Sequence, residues 1–285
     1  MMSKRKHIPV NTLPSGTREG IVIGRATRQG SPNFKAVEES HRDNGHLFIL
    51  QEKGSTHIEI DFQILRIDAP AVVYIHPSQV HRLIAFEQAT LASWIITSEN
   101  LQPEFIKLLE DLNPVNILTL APDTLIILSQ AATLCLDLVQ RKQEKIYDSI
   151  LKSSCNTLVA LVLSQYLAQS KLPDGYSRFE LNNKAFKSLL EQNFKSVKSP
   201  AEYAGSLNLS ASYLNECVHE TTGHSVSFHI RERVFLEAKR LLFHSSKSVK
   251  EIAAELGYDD FSYFTRLFTK VAGMTPIAFR NKNLV

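Results

Sequence analysis

The spacing of apolar positions changes twice along the chain. Up to about Ile96 it reads as strands. "HIEIDFQILRI" sets Ile58, Ile60, Phe62 and Ile64 against polar neighbours, which predicts a half-buried strand. "HLFILQ" precedes it, with Gly54-Ser55 between them as a hairpin signal. "AVVYIHP" and "ATLASWIIT" follow, and short strands punctuated by Gly and Pro predict a small barrel or sandwich. Over residues 103–169 the period becomes helical. Phe105, Leu108, Leu109 and Leu112 make one apolar face. "PDTLIILSQAATLCLDLVQRK" is apolar most of the way round, and Ile146, Ile150, Leu158, Leu161 and Val162 form a broad stripe on the next segment. Faces this wide need cover on two sides, either from the strands or from a second copy of the same helices in a homodimer. "SKLPDGYSR", residues 170–178, reads as a linker, and everything after it reads as helix.

Within that last region one pattern occurs twice. Ser199-Pro200-Ala201-Glu202 and Ser248-Val249-Lys250-Glu251 are both Ser-x-x-Glu helix starts. A short helix follows, with Tyr203 and Leu207 apolar in one copy and Ile252 and Leu256 in the other. Small Ala204 and Ala253 leave room for a crossing helix. Four residues later stand Asn208 and Gly257, the two residue types that most readily turn left-handed and stop a helix. Ser210 and the pair Asp259-Asp260 can then cap a second helix. Each copy therefore predicts helix, left-handed turn, helix.

The second helix of each copy has an apolar face at i, i+3, i+4 and i+7. These are Leu214, Cys217, Val218 and Thr221, then Phe264, Leu267, Phe268 and Val271. The opposite stripes are Ser212, Asn215, Glu216 and His219, and Ser262, Thr265, Arg266 and Thr269. All eight offer hydrogen bonds, which suits the reading of base edges in double-stranded DNA. The joining segment "SVSFHIRERVFLEAKRLLFHS" is about 20 residues, roughly 30 Å as helix. Successive major-groove faces lie ~34 Å apart, so it could hold the two stripes in neighbouring grooves. Charge agrees. The chain carries +3 overall, but residues 177–285 hold 15 Lys and Arg against 11 Asp and Glu, while the rest holds 17 against 18.

At these residues the chain resembles the DNA-binding domain of AraC/XylS-type transcription regulators, over about residues 181–285. The resemblance is carried by "EYAGSLNLSASYLNECVHETTGHSV", "RERVFLEAKRLL" and "SVKEIAAELGYDDFSYFTRLFTKVAGMTPIAFR". Val218 stands where that family often has Phe, and Glu216 where it often has a basic residue. "HRDNGHLFILQEKGSTHIEIDF" and "YIHPSQVHRL" are similar to the cupin-like effector domains that many such regulators carry. The expected fold is multidomain α+β: a cupin-like β-barrel (residues 1–98), a helical dimerisation segment (99–170), a linker (171–180) and an all-α domain with two helix-turn-helix motifs joined by a long helix (181–285). The resemblance implies a bacterial regulator with a small-molecule effector, a homodimer, and RNA polymerase as partner if it activates. His41, His46, Tyr74 and His81 are the candidate ligand-pocket residues.

An alternative is a metal-dependent cupin enzyme with a DNA-binding tail. His41, His46, Glu52, His57, His76 and His81 are present, but His41 and His46 are five apart rather than the His-x-His of metal-binding cupins. No Ser/His/Asp or Cys/His constellation and no Gly-rich phosphate loop stands out, so no catalytic residue, metal or cofactor is assigned. Three scattered cysteines, Cys135, Cys155 and Cys217, suit a reducing compartment. The basic start lacks the apolar core of a signal peptide, and no uninterrupted run of about 20 apolar residues occurs. The expected location is cytoplasmic, with no membrane partner.

Overall fold

The computed structural model describes residues 7–11, 20–27, 39–110, 112, 117–141, 145–169 and 177–282. The chain forms two compact units, residues 9–171 and residues 1–8 together with 172–285. The first contains strands β1 (Val10–Asn11), β2 (Ile21–Thr27), β3 (Arg42–Asp43), β4 (His46–Ile60), β5 (Gln63–Asp68), β6 (Ala71–Ile75), β7 (His81–Ile96) and β8 (Leu118–Thr119). Its helices are α1 (Pro103–Glu110), α2 (Pro122–Val139) and α3 (Tyr147–Gln169). The main sheet is antiparallel, in the order β2-β7-β4-β6-β8, with β5 paired to β4. β1 and β3 pair in parallel beside it.

β4 has 15 residues and β7 has 16, about 50 Å each if straight. They bend instead, with register shifts at Gln51/Lys53, Lys53/Ser55 and His57/Ile58. Gly54, the expected hairpin, is therefore not a hairpin. It lies at φ +65° inside β4, and a Cβ there would meet the Gln88 carbonyl oxygen at 2.4 Å. The chain reverses instead at Asp61 (φ 47°) and Phe62 (φ 72°), a two-residue turn with both residues left-handed, joining β4 to β5. The apolar alternation runs across this turn, so Ile58 and Ile60 are buried while Ile64 is 64% exposed.

The bent strands make two cores. On one face Phe48, Leu50, Tyr74 and Trp94 meet Leu128, Cys135, Leu158, Val162 and Tyr166 of α2 and α3. The Phe48 and Trp94 rings stack 5.2 Å apart. On the other face Leu47, Ile49, Val73 and Leu91 enclose Ile58, Ile60 and Ile67 from the far half of β4 and from β5. Buried Asn156 on α3 donates to the Asn100 carbonyl at 2.8 Å and accepts from the Gln102 amide at 2.9 Å, which anchors α3 to the end of β7. The helices' broad apolar faces are only half used. Leu128, Ala132 and Cys135 of α2 are buried, but Ile126, Ile127 and Leu134 are more than half exposed. Among the described residues α2 alone has the length and composition of a membrane span, with mean hydropathy 1.3 over 18 residues. It packs on α3 and the sheet.

The second unit is helical: α4 (Arg178–Asn193), α5 (Pro200–Ser206), α6 (Ala211–Thr222), α7 (Val226–His244), α8 (Val249–Glu255), α9 (Phe261–Ala272) and α10 (Pro276–Lys282). α4 starts inside the segment read as linker, with a full capping box between Ser177 and Glu180. Residues 170–176 of that segment lie outside the described residues. The Ser248–Glu251 box forms as expected, but Ser199 makes no side-chain cap. The two turns match bond for bond. Asn208 (φ 55°) and Gly257 (φ 77°) are left-handed. Leu209 donates to the Ala204 carbonyl and Tyr258 to the Ala253 carbonyl, both at 2.9 Å, the six-residue closure of a Schellman turn.

The long helix α7 holds a buried charge network. Arg240 donates to Glu237 at 3.0 Å, with both side chains almost wholly buried. Arg233 reaches the same carboxylate at 3.4 Å, and its Nε donates to both oxygens of Glu191 on α4 at 2.8 Å. Its guanidinium lies 3.8 Å from the Phe194 ring centre. The segment after α4 also touches the second turn: a Cβ on Gly257 would lie 2.0 Å from the Lys195 carbonyl oxygen. Lys198 bonds that oxygen at 2.7 Å and sits over the Tyr258 ring.

The two left-handed turns should therefore respond differently to mutation. Gly257→Ala adds both strain and a collision, and should destabilise this unit by about 2–4 kcal/mol. Asn208→Gly keeps the conformation and should change stability by less than about 1 kcal/mol. Urea unfolding followed by helical circular dichroism measures both, and equal losses would contradict the account.

Candidate nucleic-acid interface

α6 and α9 each begin at a capped serine or aspartate and end at a left-handed glycine. Ser210 accepts from the Tyr213 amide at 3.2 Å. Asp260 accepts from the amides of Ser262 and Tyr263 at 2.8 and 3.0 Å. Gly223 and Gly273 close the helices at φ 74° and 69°. Leu214, Cys217 and Val218 are buried on α6, and Phe264 and Phe268 on α9, so each helix turns its other side outward.

The outward sides differ in detail. On α6 all four predicted residues, Ser212, Asn215, Glu216 and His219, are exposed. Asn215 also has a structural task, since its side-chain oxygen accepts from the Val226 amide at 3.1 Å and holds the start of α7. On α9, Ser262 and Arg266 are exposed, while Thr265 and Thr269 are half-buried. The Thr269 hydroxyl donates to the Thr265 carbonyl at 2.7 Å, and the Thr265 hydroxyl is buried. The ridge that faces solvent is instead Ser262, Arg266 and Lys270, spaced i, i+4, i+8, flanked by exposed Phe261 and Tyr263. Lys270 and the two aromatics were not among the expected site residues; extending the stripe by one helical turn would have found Lys270. Among the described residues Arg266 makes no hydrogen bond or ion pair, so Asp259 and Asp260 do not hold it.

The four candidate pocket residues of the first unit fall into two groups. His46 Nδ1 lies 2.8 Å from the Tyr74 hydroxyl and Nε2 lies 3.1 Å from the Ser98 hydroxyl. The His76 ring stands edge-on at 5.8 Å. His41 and His81 instead meet each other, with ring centres 4.5 Å apart, beside Asp43. Asp43 was absent from the expected set because nothing in its spacing marks it.

The comparisons agree with this geometry. Residues 203–282 match the helix-turn-helix domain family, a span that includes both turn-and-helix pairs. The HTH-type transcriptional activator RhaR of Yersinia pseudotuberculosis is 28% identical over 258 residues, covering 88% of this chain and 87% of that protein. RhaR of Cronobacter sakazakii is 36% identical over 69 residues, 24% of each chain. The crystal structure of ToxT from Vibrio cholerae O395 aligns with 93% of this chain and 97% of its own at 12% identity, with a TM-score of 0.42. The helix-turn-helix match and the RhaR relatives support a DNA-binding transcription regulator. These similarities support an AraC/XylS-type transcriptional regulator.

His46 makes the first unit acid-sensitive. Burial first, and the neighbouring His76 second, lower its pKa from 6.5 to about 4. Between those values the unfolded chain binds a proton that the folded chain refuses. Stability is therefore complete above pH 6.5, declines as pH falls, and levels off below about pH 4, a loss of up to about 3 kcal/mol. His46→Gln should flatten that decline. A wild-type slope that survives in the variant, measured by denaturation across this range, would assign it to other groups.

Proposed function

We propose that the two matched pairs, α5–α6 and α8–α9, are helix-turn-helix motifs that read neighbouring major grooves of one DNA site. The observation that carries this reading is the bond-for-bond repetition of the turn, with an exposed polar ridge on each second helix. Ser212, Glu216 and His219 supply base contacts on α6, and Ser262 and Arg266 on α9. Asn215, Thr265 and Thr269 act at the edge of the interface, given the internal bonds of the first and third and the partial burial of the last two. Lys270 and exposed Lys250 lie where phosphates would pass.

The first unit is then a cupin-like effector domain, its bent sheet closing on an inner core. The RhaR relatives, activators aligned over most of this chain, support an activator; in this reading RNA polymerase is its partner and a small molecule in the first unit is its signal. Three free, buried cysteines fit a bacterial cytoplasm. Ile126, Ile127 and Leu134 on α2 supply the contact of a homodimer.

Arg266 separates base reading from phosphate contact. If it forks onto a guanine, Arg266→Ala should cost ~1–3 kcal/mol at the true site and relax preference at one base position. A pure phosphate contact would weaken all sequences alike and lower the salt slope by about one. Binding to a randomised DNA library at two salt concentrations distinguishes them, and unchanged base preference would remove Arg266 from the reading set.

The dimer is tested separately. Ile127→Asp places a charge in the proposed contact and should convert a dimer at micromolar concentration into a monomer in sedimentation, with the helical content unchanged. A monomeric wild-type protein would end the proposal.

A further inference from the structure

His41, Asp43 and His81 converge in the first unit, which does not contain the proposed DNA-reading ridge. His41 precedes β3, Asp43 lies in it and His81 opens β7. Backbone bonds of 3.0 Å in both directions join His41 to His81. The three side chains are only 4–5% exposed. His81 Nε2 lies 3.3 Å from one Asp43 oxygen and His41 Nε2 lies 3.9 Å from the other. All three potential ligand atoms fall within 4.8 Å of one another.

The remaining ring nitrogens fix the chemistry. His41 Nδ1 lies 2.7 Å from the Glu39 carbonyl oxygen, and His81 Nδ1 lies 3.4 Å from that of Gln79. A carbonyl only accepts, so each Nδ1 carries the ring proton and each Nε2 presents a lone pair. Two lone pairs thus face a carboxylate that also only accepts. A positive charge at the centre resolves that repulsion.

We propose that His41, Asp43 and His81 form a binding site for a first-row divalent transition metal of the Zn2+ class. Two imidazole nitrogens and one carboxylate oxygen suit that class, whereas Ca2+ and Mg2+ require shells of six or more oxygens. With bonds of about 2.0–2.2 Å, tetrahedral neighbours lie about 3.3–3.6 Å apart. The distance from His81 to Oδ2 already fits; His41 lies 3.9 Å from Oδ1, the other oxygen, so coordination through a single oxygen needs the carboxylate to turn and the His41 side to close. The backbone carbonyls of Glu39 and Gln79 are the outer shell that orients the rings. The fourth position remains for water or the donor atom of a small ligand. Binding would tie the β1–β3 pair to the start of β7.

The test uses the full-length protein, stripped with a chelator and titrated with Co2+ and then Zn2+. One equivalent of Co2+ should give a visible absorption band that Zn2+ displaces. His41→Ala, Asp43→Asn and His81→Gln should each weaken binding about tenfold or more, while His57→Ala leaves it unchanged. Circular dichroism checks that each variant folds. Where one does not, the wild-type imidazole resonances decide, since Zn2+ must shift those of His41 and His81. Absence of stoichiometric metal on the wild type, binding that survives the His41→Ala/His81→Gln double variant, or unshifted resonances would each overturn the site.

Discussion

The geometry of the helical unit rests on the charge network buried along α7. Glu237 and Arg240 lie almost fully out of water, and Arg233 carries the network across to Glu191. Charges placed there are costly unless every partner is present, and loss of one partner typically costs about 3–5 kcal/mol. The network therefore tolerates one arrangement of α7 against α4. Because α7 also supports α8 and α10, it sets where the second turn-and-helix pair stands relative to the first. Arg280 reinforces this from the far end, donating to the backbone carbonyls of Leu242 and Lys247.

The repeated backbone carries unequal chemistry. α6 presents Glu216 and Glu220 to solvent, and α9 presents Arg266 and Lys270. Near a phosphate backbone the first pair is repelled and the second attracted. Duplication of the turn therefore does not duplicate the charge. In the proposed complex the electrostatic hold would belong to α9, and α6 would discriminate by hydrogen bonds and by what it repels.

Much of the helical unit was legible in the residues because its rules are local. Caps, left-handed stops and an i, i+3, i+4 face all act within one or two turns, so Asn208, Gly257, Ser210 and the pair Asp259-Asp260 could be placed without tertiary knowledge. Ser199 shows the limit: the pattern was present but the hydroxyl found no amide. The strands were harder. Gly54 has the look of a hairpin, yet β4 pairs with β7 through it, and long-range pairing decided the outcome. Asp61-Phe62 was overlooked because Phe is an unusual occupant of a left-handed turn. The grouping of His41 and His81 with Asp43, and the separation of His46 with Tyr74, follow from register between distant strands, which a single sequence does not encode locally.

The missing Cβ of Gly257 has a mechanical meaning. It lets the second turn press on the Lys195 carbonyl, which ties that turn to the segment following α4. In the proposed complex such a contact resists a change in the spacing of the two ridges. A mismatch between that spacing and the helical repeat would then fall on the DNA, as bend or altered twist. Base pairs that no side chain touches would matter through their stiffness, with flexible pyrimidine–purine steps between the two contacted segments favoured.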